Sequence, residues 1–270
     1  MRLGFIGGGT MAEAMVAGLL KRKAVEAGDV TVSDVVKARR DHLRKVYGVG
    51  VVADNRKAAV GADLVVLAVK PQQLREVAES LRGSLGPDQA VLSIVAGVAT
   101  QTIASGLGHD SVVRAMPNMP GQLGVGITAW TATPSVDEKQ RGAVRTVLSA
   151  LGVEVYVADE KLLDVATALS GSGPAYVFLF IEALIDAAVY LGMPRELAQQ
   201  LAVQTVSGSG TMVSETGEHP AVLRDRVTSP GGTTAEGLLA LEEGGFRATV
   251  MSAVLAAHEK AIELGEESRK

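Results

Sequence analysis

Along the first part of the chain, apolar positions fall in short runs rich in β-branched residues: Leu3–Ile6, Val30–Ser33, Val49–Val52, Leu64–Val69, Ala90–Val95, Val112–Met116, Gly126–Thr131 and Val153–Val157. Between most of these the apolar spacing changes to that of a helix face, over Met11–Lys23, Lys37–Tyr47, Gln72–Leu81 and Val136–Leu151. Such alternation lays each crossover helix back on a parallel sheet and predicts an α/β unit with both faces covered. The pattern leaves the order and direction of the last strands open.

Beyond about Asp159 the β-runs stop. The helical period continues over Leu162–Leu169, Pro174–Leu191, Arg195–Val213, Pro220–Arg226, Ala235–Glu243 and Phe246–Leu264. Pro174, Pro194 and Pro220 suit first helical turns, and Gly192 and Gly265 suit left-handed caps at helix ends. The expected organisation is an α/β domain over 1–160 and an all-helical domain over 161–270. On Pro174–Leu191, Glu182, Asp186 and Tyr190 make one narrow polar stripe. Val177, Phe178, Leu179, Phe180, Ile181, Leu184, Ile185 and Val189 fill the rest of the circumference. A helix apolar nearly all round must be covered nearly all round, so we expect a buried helix with a second subunit as part of its cover. A membrane span needs ~20 apolar residues with few charges; Glu182 and Asp186 interrupt this run, and no span is expected.

Of the 270 residues, 47% are hydrophobic and only 3% aromatic, so the core consists mainly of Ala, Val and Leu. A net charge of −4 gives no basic field for nucleic acid. Without cysteine there is no disulfide frame, thiol nucleophile or thiolate metal site, and no metal is expected. Met1-Arg2-Leu3-Gly4-Phe5-Ile6 runs directly into a glycine turn rather than through a signal-peptide pattern. With the cysteine-free composition, this points to the cytoplasm.

Gly7, Gly9 and Ala12 match G-x-G-x-x-G/A directly after a predicted strand and at the opening of a helix. The first glycine permits the tight turn, the second admits a pyrophosphate, and Ala12 lets helix and strand pack closely. This is the fingerprint of a Rossmann-type dinucleotide-binding domain. Asp34, at the end of the second strand, suits an adenosine ribose and disfavours a 2′-phosphate. Lys37, Arg39 and Arg40 follow at once and suit that phosphate, or form a solvated helix face. NADPH and NADH therefore both remain open. Strand ends line ligand clefts in open α/β sheets, which adds Ala68-Val69-Lys70-Pro71, Ile94-Val95-Ala96-Gly97 and Met116-Pro117-Asn118 as candidates.

Far downstream, Ser229-Pro230-Gly231-Gly232-Thr233-Thr234 precedes an apolar helix. Thr233 and Glu236 have the spacing of a capping box, while Gly231 and Gly232 expose successive N–H groups as an anion nest beside the Ser229 hydroxyl. A second glycine-rich turn is expected at Ser170-Gly171-Ser172-Gly173-Pro174. Together the two ends suggest an enzyme that holds a small carboxylate against a nicotinamide.

Five segments in order resemble one family, pyrroline-5-carboxylate reductase, over essentially the whole chain. They are Phe5-Ile6-Gly7-Gly8-Gly9, Ala68-Val69-Lys70-Pro71-Gln72, Arg114-Ala115-Met116-Pro117-Asn118-Met119-Pro120, Ala168-Leu169-Ser170-Gly171-Ser172-Gly173-Pro174-Ala175-Tyr176 and Val227-Thr228-Ser229-Pro230-Gly231-Gly232-Thr233-Thr234. The resemblance implies an oxidoreductase of proline biosynthesis that transfers a hydride from NADPH, or NADH, to 1-pyrroline-5-carboxylate. It implies cofactor contacts at Ile6, Gly7, Gly8, Gly9, Thr10, Met11, Asn55, Ala68, Val69, Lys70, Ile94, Val95 and Ala96. It implies carboxylate contacts at Ser229, Thr233 and Thr234, with Thr234 near the ring nitrogen as the catalytic residue. It also implies a helical domain that interlocks with a partner subunit, giving a homodimer or a higher oligomer built from dimers. Met119 departs from a usual threonine, and Gly121-Gln122-Leu123 from a more apolar stretch.

Two other readings compete. A hydroxyacid-type or polyol-phosphate dehydrogenase needs a lysine or histidine acid, yet the late glycine-rich motifs contain no lysine. His42, His109, His219 and His258 fall on helix surfaces or loops. A non-enzymatic nucleotide-sensing protein has no need of Ser229 and Thr234 beside an anion nest.

Overall fold

The structure, a computed structural model, describes residues 1–267. The strands are β1 Leu3–Ile6, β2 Val30–Ser33, β3 Gly50–Val52, β4 Leu64–Leu67, β5 Ala90–Ser93, β6 Val112–Met116, β7 Gly126–Ala132 and β8 Gly152–Tyr156. The helices among them are α1 Thr10–Lys21, α2 Lys37–Tyr47, α3 Asn55–Ala59, α4 Leu74–Leu81, α5 Thr100–Leu107 and α6 Glu138–Ser149. Then follow α7 Leu162–Ala166, α8 Gly173–Tyr190, α9 Arg195–Thr216, α10 Pro220–Arg226, α11 Thr233–Glu243 and α12 Phe246–Glu267. This is an N-terminal Rossmann-type α/β fold followed by helices, as expected.

One sheet carries all the strands in the order β3-β2-β1-β4-β5-β6-β7-β8. Pairings from β3 to β6 are parallel, β6 and β7 run antiparallel, and β7 and β8 are parallel to each other. The period of two along each strand divides its side chains between two layers. Leu3 and Phe5 pack with Met15 and Leu19 of α1 and Val144 and Leu148 of α6. Ile6, Val65 and Leu67 pack on the other face with Leu81 of α4 and Ile103 of α5. Each such side chain, fully buried, contributes ~1.5–3 kcal/mol relative to exposure.

By contacts the chain divides into two compact units, one of Met1–Ser172 joined by the end of α12 from Ala257, the other Gly173–Ala256. In the first, buried Arg114 on β6 donates to Asp164 at 2.7 Å and to Glu160 at 3.3 Å. Glu160 also accepts from the Thr100 N–H and hydroxyl, both at 2.8 Å, so its carboxylate caps α5. One guanidinium thus ties β6, α5 and α7 together.

Several expectations need correction. Helix α8 contains no buried residue within the chain, and Phe178 and Leu179 are 53% and 67% exposed. The burial its composition demands is not supplied by its own chain. By length and composition alone the run Leu162–Tyr190 could cross a membrane, a test that core helices of soluble proteins also pass, so the expectation of no span is untouched. The Ser170–Pro174 segment is not a turn: Thr167–Gly171 forms a π-helix that carries α7 into α8. Gly265 caps nothing, because α12 continues through it; a Cβ there would lie 3.0 Å from the Gly97 carbonyl oxygen, so close packing is what requires glycine.

Candidate active site

At the end of β1, Gly7 turns with φ +94°, and a Cβ on it would meet the Ala68 carbonyl oxygen at 2.6 Å. No other residue fits that turn. Gly9 is the N-cap of α1 and no side chain caps the helix, so the first N–H groups of α1 have no side-chain partner and suit an anion. A Cβ at Gly9 would meet nothing within 4 Å.

A cavity of about 320 Å³ opens here, lined by Gly7, Gly9, Asp34, Asn55, Ala68, Val69 and Lys70 among the expected cofactor residues. Ser33, Val35, Val36, Gln73, Glu76, Val77 and Ser80 complete its wall. Ile6, Gly8, Thr10, Met11, Pro71, Ile94, Val95 and Ala96 do not line it. Ile6 is buried in the sheet, and Pro71 opens a short 3-10 turn before α4. The Asn55 carboxamide is fixed by the Ser33 hydroxyl at 2.8 Å and donates toward Ser80 Oγ at 3.3 Å. Ser33 and Ser80 were not foreseen; their only sequence signal is a hydroxyl at a strand end and on a helix flank.

Asp34 accepts from the Gly8 N–H at 2.9 Å and from the Val36 N–H at 2.8 Å. Of the basic trio, Lys37 is solvated, its side chain 81% exposed, whereas Arg39 and Arg40 are half-buried. Lys37 pairs with Asp41 at 2.7 Å, and Arg40 donates to the Asp34 carbonyl oxygen at 2.6 Å. Arg39 donates to the Gly8 carbonyl oxygen and to the Glu13 carboxylate. Glu13 also meets His42 at 2.8 Å and the Tyr47 hydroxyl at 2.9 Å. Burial pushes the Glu13 carboxyl up, but hydrogen bonds from His42, Arg39 and Tyr47 outweigh it and bring its pKa down to about 2. Lys70 is exposed at the cavity wall.

In the other unit, the Ser229–Thr234 bend differs from the sequence reading in one respect. The N-cap of α11 is Gly232, not Thr233, and no side chain makes a cap hydrogen bond, so the Thr233–Glu236 capping box does not form. A Cβ on Gly232 would lie 2.5 Å from Ser229 Oγ and 3.2 Å from the Ser229 carbonyl oxygen, so the bend is tightly packed at that position. Gly231 precedes it with φ +67°. Thr233 and Thr234 consequently occupy the first turn, where backbone N–H groups lack intrahelical partners. Thr234 is half-buried, while Ser229 and Thr233 are exposed.

A protein described as pyrroline-5-carboxylate reductase from Synechocystis sp. is 46% identical over 266 residues, which is 98% of this chain and 99% of the relative. The chain belongs to the pyrroline-5-carboxylate reductase family. Residues 160–264 match the family model described as pyrroline-5-carboxylate reductase dimerisation. Residues 2–97 match the model described as NADP oxidoreductase, coenzyme F420-dependent. Among solved structures, the pyrroline-5-carboxylate reductase of Coxiella burnetii aligns with a TM-score of 0.92 at 40% identity, covering 97% of this chain and 98% of that one. The pyrroline carboxylate reductase of Plasmodium falciparum, which has NADP bound, aligns with a TM-score of 0.88 at 34% identity over 98% of each chain.

Proposed function

We propose that this protein reduces 1-pyrroline-5-carboxylate to L-proline with a hydride from NAD(P)H. The observation that carries this reading is 46% identity to a pyrroline-5-carboxylate reductase over 98% of the chain. The glycine turn fits a dinucleotide. A Cβ at Gly9 would meet nothing within 4 Å, so the backbone there is open to close approach by a pyrophosphate. A bound reduced nicotinamide supplies the hydride.

The chain's own residues bind and orient. Gly231, Gly232, Thr233 and Ser229 hold the substrate carboxylate through N–H and hydroxyl donors, each charge-assisted bond contributing ~1.5–3 kcal/mol. Thr234 is the catalytic residue, its hydroxyl directed at the ring nitrogen, with Thr234 or water delivering the proton that nitrogen gains. A protonated imine is already electrophilic, so orientation, which can contribute ~7–11 kcal/mol, matters more than a strong acid. Cofactor contacts extend from the cavity residues to Ile6, Gly8, Thr10, Met11, Pro71, Ile94, Val95 and Ala96. The first domain, 1–160, takes the nucleotide, and the second, 161–270, takes substrate and partner.

We infer NADPH as the reductant, with NADH second. The NADP in the P. falciparum relative supports the first, and Asp34, the residue directly after β2, supports the second. A second copy of the chain covers the exposed apolar surface of α8, a reading supported by the dimerisation model matched over 160–264. We place the reaction in the cytoplasm, the reducing compartment that a cysteine-free chain suits.

The test is nucleotide oxidation with 1-pyrroline-5-carboxylate beside a panel of keto acids, with each reduced nucleotide. Turnover restricted to the imine is expected. Turnover restricted to keto acids would mean a hydroxyacid-type dehydrogenase, and nucleotide binding without any turnover would mean a sensor.

A further inference from the structure

Helix α2 opens with Lys37, Arg39 and Arg40 and has no acidic residue in its first turn. That places cations at the helix end where the macrodipole disfavours them. Arg39 is nevertheless only 25% exposed, held over α1 by Glu13. Its guanidinium donates through Nε to the Gly8 carbonyl oxygen and through Nη2 to the Gly9 carbonyl oxygen at 3.4 Å. From the other side the Asp34 carboxylate accepts the Gly8 N–H at 2.9 Å. The peptide groups on both sides of Gly8 are therefore held by side chains, one anionic and one cationic. Neither Arg39 nor Glu13 lines the cavity, whereas Asp34 does.

We propose that Arg39 is a positioning residue for the dinucleotide, which it serves by clamping the Gly7–Gly9 turn and not by reading the 2′-substituent of the adenosine ribose. Glu13 completes the clamp: it aims Arg39 and is itself held by His42 and Tyr47. A glycine turn has more backbone freedom than any other, and a ligand that orders it must overcome that entropy. The clamp removes the freedom before the nucleotide arrives. This rests on the reading that the cavity takes NAD(P)H.

The experiment is calorimetric titration of wild type, Arg39→Met, Glu13→Gln and Tyr47→Phe with NADH and with NADPH, followed by steady-state kinetics. Wild type must bind a nucleotide; if it binds neither, the cavity reading fails before the clamp is tested. A clamp weakens both nucleotides by the same factor, roughly tenfold in Arg39→Met, and less in Glu13→Gln, which keeps the guanidinium. At saturating nucleotide, kcat should stay within about twofold, and KM for 1-pyrroline-5-carboxylate should not move. Tyr47→Phe keeps the ring and removes one hydrogen bond from Glu13, so it reports even if Arg39→Met does not fold: both affinities should fall together by about twofold. A loss confined to NADPH in any variant would make Arg39 a 2′-phosphate ligand and overturn the proposal, as would unchanged affinity for both nucleotides.

Discussion

Thr234 stands in the first turn of α11, behind the Gly232 N-cap, and no side chain caps that helix. There we propose that its hydroxyl meets the substrate. Thr234→Ala should lower kcat/KM for 1-pyrroline-5-carboxylate at least tenfold, or ~1.4 kcal/mol, with nucleotide affinity nearly intact; steady-state kinetics on both substrates check it. Gly9→Asp places a carboxylate where we propose the pyrophosphate sits, and nucleotide titration should show binding lost by about a hundredfold or more. Glu13 carries a pH signature. Its carboxyl has a pKa of about 2 in the fold against 4.5 ordinarily, so the stability it contributes is complete above 4.5 and is lost as pH falls toward 2. The Tm advantage of wild type over Glu13→Gln should therefore shrink across that acid window and hold steady at neutral pH, as thermal melts across the range would show. At this scale the sequence was readable where sterics leave a single solution, as at Gly7 with its φ of +94°. It was not readable at Arg39, whose partners on α1 and in the turn come together only through the fold.

The strands were legible as elements because β-branched runs between turns admit few other structures, and β1, β2 and β6 have the bounds the pattern gives. Helices α3 and α5 escaped notice. The first is five residues long and reads Asn-Arg-Lys-Ala-Ala, and the second buries Thr100, Ile103, Ala104 and Leu107, a helical spacing hidden by small and polar types. The π-helix before α8 was hidden by Pro174, which reads as a helix start; the structure brings a helix into it, and such segments recur at functional sites. Helix α8 was legible in composition but not in cover, since its own chain leaves it without a buried residue and we propose a second copy as the cover. Leu179→Asp should therefore shift sedimentation toward the monomer without removing a contact from the core of the first unit. An unchanged assembly would mean that α8 is covered by something other than a second copy.

At the scale of the whole molecule, the chain divides into two compact units to which we assign two different chemistries. The unit of Met1–Ser172 presents a glycine turn and a cavity suited to a dinucleotide, and Gly173–Ala256 presents a glycine–threonine bend suited to a carboxylate. Composition alone carried none of this; the ordered spacing of the motifs did. The account turns on the bend as the seat of the substrate's carboxylate. The most direct measurement is a crystal structure of the protein with L-proline and oxidised nucleotide. The account predicts the proline carboxylate within hydrogen-bond distance of the Gly231–Thr234 backbone and the Ser229 hydroxyl, with the ring nitrogen toward Thr234. Proline seated elsewhere, with the bend making no contact to it, would contradict the account.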